Sequence, residues 1–341
     1  MRPVIVNARA AARPQISGVE RWAREMALRL PELDPERYVV ARPPAALSKR
    51  PGQAWEQFLL PVLAAREHAA AIYNPANLAP LAWSRNVVQI HDAAALRHPE
   101  WYSRPYVEWQ RRVLPQIAKR ARLVITVSEF ARAEVSEFLG VPGERIRVVP
   151  GGVDARFRPD VDPEPLKREL GLQRPYVLAL GDRGPRKNLD ALRPAVEPLR
   201  REGIELVIGG GGRAHQLGAP LPGARDVGYV PDERLPELYA GALAFALPSL
   251  HEGFGLTALE AMAAGVPVAA SSRAALPELI GNAGLLADPA DSAAFTAAVM
   301  TAATGGATRA RLHSEGLVVA SRYTWDRAAR GVHGQLSRLS S

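Results

Sequence analysis

Cysteine is absent from the 341 residues. That excludes a disulfide framework, a thiolate metal site and a cysteine nucleophile, and it makes a reducing cytoplasm the simplest compartment. Long apolar runs are missing too. No stretch of about eighteen uninterrupted apolar residues occurs, which argues against a membrane span. The opening Met1-Arg2-Pro3-Val4-Ile5-Val6 reads as a strand start and lacks the apolar core and cleavage site of a signal peptide. Acidic residues are scarce in one half only. Residues 1–160 hold 24 Lys and Arg against 16 Asp and Glu, whereas the remainder holds 19 of each, so the formal net charge of +8 lies wholly in the N-terminal half. Such asymmetry points to an anionic partner for that half, a membrane surface, a lipid phosphate or nucleic acid, or to an ordinary solvated basic face. No nucleic-acid motif accompanies the charge, so nucleic acid is not expected as a partner.

Apolar runs alternate with helical patterns in both halves, as expected of parallel sheets with crossover helices. In the first half the candidate strands are Val4–Asn7, Tyr38–Ala41, Ala71–Tyr73, Val87–Ile90 and Leu123–Val127, with a shorter element at Ile146–Val149. Helical patterns lie near Val19–Leu30, Ala54–His68 and Tyr106–Ala121. The stretch Arg158-Pro159-Asp160-Val161-Asp162-Pro163-Glu164-Pro165 is too rich in proline for helix or central strand. It sets the expected division into residues 1–158, 159–322 and a C-terminal helix within 323–341 that returns to the first domain. In the second half strands are expected at Tyr176–Leu180, Glu205–Ile208, Ala244–Leu247 and Pro267–Ala270. Helices are expected near Asn188–Arg201, Asp232–Ala240, Thr257–Ala264, Ser292–Ala303 and Trp325–Leu339. The fold class is α/β, with two doubly wound domains that bind ligands at strand C-terminal edges.

The strongest chemical signal is His251-Glu252-Gly253-Phe254-Gly255-Leu256-Thr257-Ala258-Leu259-Glu260, which follows an apolar strand. Glu252 falls in a glycine-rich loop and Glu260 in the next helix. Gly253 and Gly255 let backbone approach a ligand, the helix start suits an anion, and a helix carboxylate can accept from a ribose diol. A second signal is the pair Arg186-Lys187 in the turn after Tyr176–Leu180. A basic pair at a strand's C-terminal end can neutralise a diphosphate, Arg with a planar fork and Lys as a point charge. His91 ends the run Val87-Val88-Gln89-Ile90-His91. By itself, a histidine in that place is more often packed or solvated than functional.

These residues resemble the E-x7-E signature of family 4 glycosyltransferases, which have the GT-B fold of two Rossmann-like domains facing each other across a cleft. The resemblance runs in family order through Ser17-Gly18-Val19-Glu20-Arg21, His91-Asp92, Val127-Ser128-Glu129-Phe130, Pro150-Gly151-Gly152-Val153-Asp154, Pro185-Arg186-Lys187-Asn188, Gly228-Tyr229-Val230-Pro231 and Leu276-Pro277-Glu278. Two departures stand out: Ser17 where a glycine is common, and Thr257 where proline is frequent. The resemblance implies a retaining, metal-independent transferase whose only small-molecule requirement is a nucleoside-diphosphate sugar carrying guanine, uracil or thymine. It implies that Gly18, Gly181, Gly209, Gly210, Gly253, Phe254, Gly255, Leu256, Thr257 and Glu260 surround the donor. Glu260 would take the ribose, Arg186 and Lys187 the diphosphate, Glu252 the sugar hydroxyls, and His91 would meet the sugar. The sugar expected is mannose or a rhamnose-like hexose, and the acceptor a glycan or a lipid-linked glycan. The resemblance also implies that the first domain, residues 1–158, binds the acceptor and the second, residues 159–322, the nucleotide-sugar donor. A cytoplasmic enzyme, peripheral at the inner face of the cell membrane, is implied.

Two other motifs are set aside. Asp160-Val161-Asp162 has the D-x-D spacing of metal-dependent transferases but lies in the proline-rich stretch, away from any strand end. Gly209-Gly210-Gly211-Gly212 lacks the full dinucleotide spacing. The pattern over Tyr106–Ala121 mixes apolar and basic residues and reads either as core or as a membrane-surface helix interrupted at Pro115. Rival functional classes are a sugar-nucleotide epimerase or phosphorylase on the same fold, and a non-catalytic basic binding protein.

Overall fold

The computed structural model describes residues 2–13, 17–44, 52–210 and 221–339. The chain forms two compact units, Met1–Gly152 with Trp325–Ser341, and Val153–Thr324. The division thus falls ahead of the proline-rich stretch, which lies inside the second unit. Val153 bridges Thr324, so the chain enters and leaves that unit at one place.

The first unit is a six-stranded parallel sheet of order β2-β1-β3-β4-β5-β6. The strands are β1 (Val4–Asn7), β2 (Tyr38–Ala41), β3 (Ala71–Asn74), β4 (Asn86–Gln89), β5 (Leu123–Thr126) and β6 (Ile146–Val148). Strands β1, β3, β4 and β5 are buried along their whole length. Coverage of both sheet faces by helices explains their nearly continuous apolar sequences. The helix Gly18–Leu33 packs against the C-terminal helix Trp325–Ser337, with Trp22 and Trp325 edge to face at 5.7 Å. Arg29 also pairs with Asp326 at 2.8 Å.

Two helical expectations need correcting. The segment near Ala54–His68 is not one regular helix: Gly52–Ala54 leads into a π-helical turn, Trp55–Leu59, before Leu60–Arg66. Pro61 has no amide to offer the carbonyl of Gln57, and the wider turn accommodates that gap. The helix Arg104–Arg120, by contrast, runs through Pro115 without a break. Its apolar residues Val107, Leu114 and Ile117 are buried, the last two in a cluster with Val88, Ile90 and Val124. The apolar face that a membrane-surface reading of this helix requires is therefore inside the unit.

The second unit has order β12-β11-β10-β7-β8-β9, again all parallel. Its strands are β7 (Tyr176–Leu180), β8 (Glu205–Gly209), β9 (Arg225–Gly228), β10 (Ala242–Leu247), β11 (Val268–Ser271) and β12 (Gly284–Ala287). Leu206, Ile208, Ala244, Ala269, Phe295 and Val299 are among its core. Strand β7 leads to β8 on one side while β10 lies on the other. The loops leaving β7 and β10 therefore diverge from a topological switch point, the place where open α/β sheets bind ligands.

Candidate active site

After β7 the chain passes Gly181 and forms a 3-10 turn, Pro185–Lys187, closed by Asn188 in the left-handed region at φ 50°. After β10 it passes Pro248 to Gly255 and enters the helix Leu256–Ala263. The two loops are sewn together. The Leu250 amide donates to the Arg186 carbonyl at 2.9 Å, and Asn188 Nδ2 donates to the Pro248 carbonyl at 3.1 Å.

That stitching brings together three of the residues singled out in the sequence. Lys187 Nζ lies 2.7 Å from Glu252 Oε1, and Arg186 Nη1 lies 3.1 Å from Glu252 Oε2. Arg186 also donates to the His251 carbonyl at 3.2 Å. Glu252 and Lys187 are both buried, at 8% exposure each. Burial pushes the Glu252 carboxyl up, but the Lys187 ammonium and the Arg186 guanidinium outweigh it and hold the group at about 2. Glu252 is thus a permanent carboxylate at neutral pH, and each of its oxygens holds a cation. The expectation gave the cations to a diphosphate and the carboxylate to a sugar. In the structure the three form one cluster with a net charge of +1.

Glu260 is buried, and its Oε2 lies 2.9 Å from the Tyr239 hydroxyl, which is also 3.1 Å from the Thr257 carbonyl. Gly255 has φ +106°, and a Cβ there would sit 2.8 Å from Leu276 Cδ2. Only glycine suits both the conformation and the space. Leu256 and Thr257 begin the helix, where backbone amides have no intrahelical acceptor. Phe254 is buried edge to face with Tyr323 at 5.7 Å. The Gly253 segment joins this loop to the next, since the Ala275 amide donates to the Glu252 carbonyl at 3.2 Å.

The glycines of β7 and β8 have a packing role. The Gly181 amide donates to the Gly209 carbonyl at 3.0 Å, and a Cβ on Gly181 would lie 3.0 Å from Lys187 Cγ. Gly210 presses on the Gly181 carbonyl. Gly211 and Gly212 lie outside the described residues. A cavity of ≈ 470 Å³ opens beside the Pro185–Lys187 turn, lined in part by Arg183, Asn188, Asp190 and Asp226, but none of Arg186, Lys187, Glu252 and Glu260 lines it.

Gly18 and His91 belong to the first unit. Gly18 opens its helix, and Ser17 with Glu20 forms a capping box. Ser17, in a place where the family commonly has glycine, therefore satisfies the helix start. Glu20 also pairs with Arg13 at 2.7 Å. His91 follows β4 with its ring buried against Trp22 at 5.7 Å. Its Nε2 donates to the Pro75 carbonyl at 2.9 Å, which fixes the tautomer and leaves Nδ1 as the acceptor. Burial depresses its pKa, only partly offset by the Pro75 carbonyl and Asp92, so the ring is neutral. Ser128 caps the helix Glu129–Leu139 by accepting from the Ala131 amide at 3.0 Å. Sequence reasoning missed Tyr239, which no motif marks.

Asp160 pairs with Arg158 at 3.1 Å, and Asp162 accepts from the Glu164 amide at 3.0 Å. Among the described residues no group of three or more His, Asp or Glu is placed to hold a metal ion.

Known proteins resemble this chain along most of its length. A family profile described as "Glycosyltransferase Family 4" matches residues 16–157, and one described as "Glycosyl transferases group 1" matches residues 174–304. The chain is 34% identical over 290 residues to the O-antigen chain mannosyltransferase B of Escherichia coli, covering 80% of this chain and 74% of that protein. It is 36% identical over 210 residues to a GDP-mannose-dependent alpha-(1-6)-phosphatidylinositol monomannoside mannosyltransferase of Mycolicibacterium smegmatis, of which it spans 55%, with 55% of this chain covered. A sucrose-phosphate synthase from Thermosynechococcus elongatus has the same fold, with a TM-score of 0.78 at 20% identity over 99% of this chain and 98% of that one. So does Anabaena HepE solved with UDP and glucose, with a TM-score of 0.76 at 20% identity over 99% and 100%. With two parallel six-stranded sheets, the family's motifs in order and these relatives, the chain belongs to glycosyltransferase family 4 and is a glycosyltransferase.

Proposed function

We propose that this enzyme transfers a mannosyl group from GDP-mannose to a glycan acceptor, with retention of configuration and without a metal. The observation that carries the reading is the Arg186–Lys187–Glu252 cluster at the β7/β10 switch point. Mannose and guanine come from the names of the relatives.

The bond between the anomeric carbon and the diphosphate breaks, and its electron pair leaves with GDP. Arg186 and Lys187 stabilise that charge, each charge-assisted hydrogen bond being worth about 1.5–3 kcal/mol. The acceptor hydroxyl bonds to the anomeric carbon on the face the phosphate leaves, and its proton passes to that phosphate. A double displacement would need a carboxylate free to attack. Glu252 does not suit that role, because both its oxygens hold cations. It suits the orientation of the sugar hydroxyls and of the two cations. Glu260 takes the ribose, with Tyr239 fixing its carboxylate. The donor contacts assigned to Gly18, His91, Gly253 and the helix start at Leu256 and Thr257 belong to the same proposal.

A thermal-shift series tests it. GDP at a hundred times its dissociation constant should stabilise the protein by about 2.7 kcal/mol, with smaller effects from UDP and dTDP at the same concentration. GDP release from GDP-mannose should depend on a mannosylated acceptor and persist in EDTA. Acceptor-independent epimerisation, or an obligatory divalent ion, would overturn the reading.

Contact with an anionic membrane at the cytoplasmic face belongs to the same proposal. Its support is the +8 charge within residues 1–160 and the outward Phe58, Leu59 and Val62 at 72%, 50% and 54% exposure. Among the described residues no helix is long and apolar enough to cross a membrane. The protein should sediment with phosphatidylglycerol vesicles at low salt and release at high salt. Failure to pellet at low salt counts against this contact.

A further inference from the structure

The chain passes between its two units twice, at Gly152–Val153 and at Thr324–Trp325. The two crossings are tied to each other. Val153 bridges Thr324, and the Val153 amide donates to the Tyr323 carbonyl at 3.0 Å. Segments joined through their backbones shift together rather than singly. An aromatic residue flanks Thr324 on each side, Tyr323 in the second unit and Trp325 in the first.

Each of the two rings leads to a residue singled out for the donor. Tyr323 meets Phe254 edge to face at 5.7 Å and 67°, and Phe254 stands two residues after Glu252 in the same loop. Trp325 meets Trp22 at 5.7 Å and 78°, and Trp22 meets His91 at 5.7 Å and 81°. We infer that this crossover positions donor contacts in both units at once, with Tyr323 setting the Glu252 loop through Phe254 and Trp325 setting His91 through Trp22. The inference rests on the transferase reading above, which gives Glu252 and His91 to the donor. It adds positioning residues that lie outside every family motif matched in this chain.

The rings on this path are held tightly enough to pass a displacement on. Trp22 and Trp325 are each 1% exposed. Trp22 Nε1 donates to the Tyr73 hydroxyl at 2.9 Å, and the His91 ring is tied to the Pro75 carbonyl at 2.9 Å. Close-packed interiors transmit strain, so an edge that moves takes with it the face on which it rests. Trp325 is informative in another way. Its buried Nε1 has no acceptor among the described residues. An unsatisfied buried donor is unfavourable, so ring packing holds this indole despite its N–H. Tyr323 is only half-buried, which makes it the place where the path can be cut without opening either core.

The tryptophans supply the test. Trp22, Trp55, Trp83, Trp101, Trp109 and Trp325 all belong to the first unit, and they are the 6 Trp of the chain. Indole fluorescence therefore reads that unit alone, whereas Arg186, Lys187 and Glu260 lie in the second. Saturating GDP should shift the wild-type emission. Tyr323→Ala should remove the shift while GDP still raises the melting temperature, and Tyr323→Phe, which keeps the ring, should restore it. An unshifted wild-type emission at saturating GDP, or a full shift in Tyr323→Ala, would overturn the inference. Turnover of GDP-mannose gives an independent check. An edge-to-face pair is worth roughly twofold to tenfold in an equilibrium constant. Tyr323→Ala and Trp325→Phe should each lower kcat/KM about fivefold, and so should the double variant, because both cut one path. A double loss of about twenty-five-fold, the product of independent effects, would equally count against it. A wild type that GDP fails to stabilise refutes the transferase reading and the inference with it, and the melting curves tell that case apart.

Discussion

Replacing Lys187 with alanine should lower turnover by roughly tenfold to a few hundredfold, the range that loss of one charge-assisted hydrogen bond in the transition state supplies. The ammonium does two things at once. In the proposed mechanism it faces the place where phosphate charge develops, and in the structure it holds Glu252 ionised at 2.7 Å. Without it, the buried carboxylate keeps one cation, Arg186, and the Ser249 side chain, and burial should then dominate its pKa. In the wild type the folded value of about 2 lies below the ordinary 4.5. The stabilisation is therefore complete above about pH 4.5 and disappears as pH falls toward 2, and it amounts to about 3 kcal/mol. In Lys187→Ala the acid limb of both stability and kcat/KM should move upward, toward or past 4.5. Lys187→Arg should recover the activity only in part, because the lysine stem runs against Gly181 and the longer fork has no equivalent path. Glu252→Gln should also lose activity, since it leaves two cations without their carboxylate. If it kept full activity with an intact fold, the orienting role of Glu252 would be wrong. A double-mutant cycle between positions 187 and 252 should show coupling of at least about 1 kcal/mol. Activity of Lys187→Ala within threefold of wild type would remove the cluster from the chemistry.

The parts of this fold that the sequence made legible are those with a buried apolar signature. Strands β1, β2 and β7 lie where the apolar runs placed them. Strands β9 and β12 escaped notice because edge strands carry little of that signature. Arg225-Asp226-Val227-Gly228 is exposed or half-exposed throughout, and Gly284–Ala287 is half-exposed. The helix Gly306–Ala320 was missed for a related reason: it buries only Leu312, Gly316 and Ala320. At the site, residue type was legible and contact was not. The residue types at Arg186, Lys187, Glu252 and Glu260 mark them as candidates for anion and diol binding. That Glu252 sits between the two cations depends on β7 and β10 being neighbours across a long stretch of chain. No local pattern encodes such a crossover. Tyr239 is invisible for the same reason, since its value lies only in reaching Glu260.

Gly210→Ala should destabilise the second unit by about 3 kcal/mol or more, and the protein is expected to accumulate poorly when it folds at all. Gly210 has φ +130°, and a Cβ there would fall 2.3 Å from the Gly181 carbonyl oxygen and 2.9 Å from its carbon. Neither side has room to yield. The Gly181 amide is bonded to the Gly209 carbonyl at 3.0 Å, and the Gly210 amide to the Gly228 carbonyl at 2.8 Å, so the ends of β7, β8 and β9 are locked to one another. Gly228→Ala is the control, because φ there is +66° with nothing within 4 Å of an added Cβ. It should cost only the left-handed penalty of about 1 kcal/mol. Urea unfolding of the two variants separates steric collision from backbone preference, and equal midpoints would refute the collision. The contrast also bears on catalysis. Gly181 is the residue against which the Lys187 stem packs, so any relief of the clash that displaces Gly181 displaces the ammonium from Glu252. Folded Gly210→Ala protein should therefore lose turnover beyond what its stability explains, and Gly228→Ala should not.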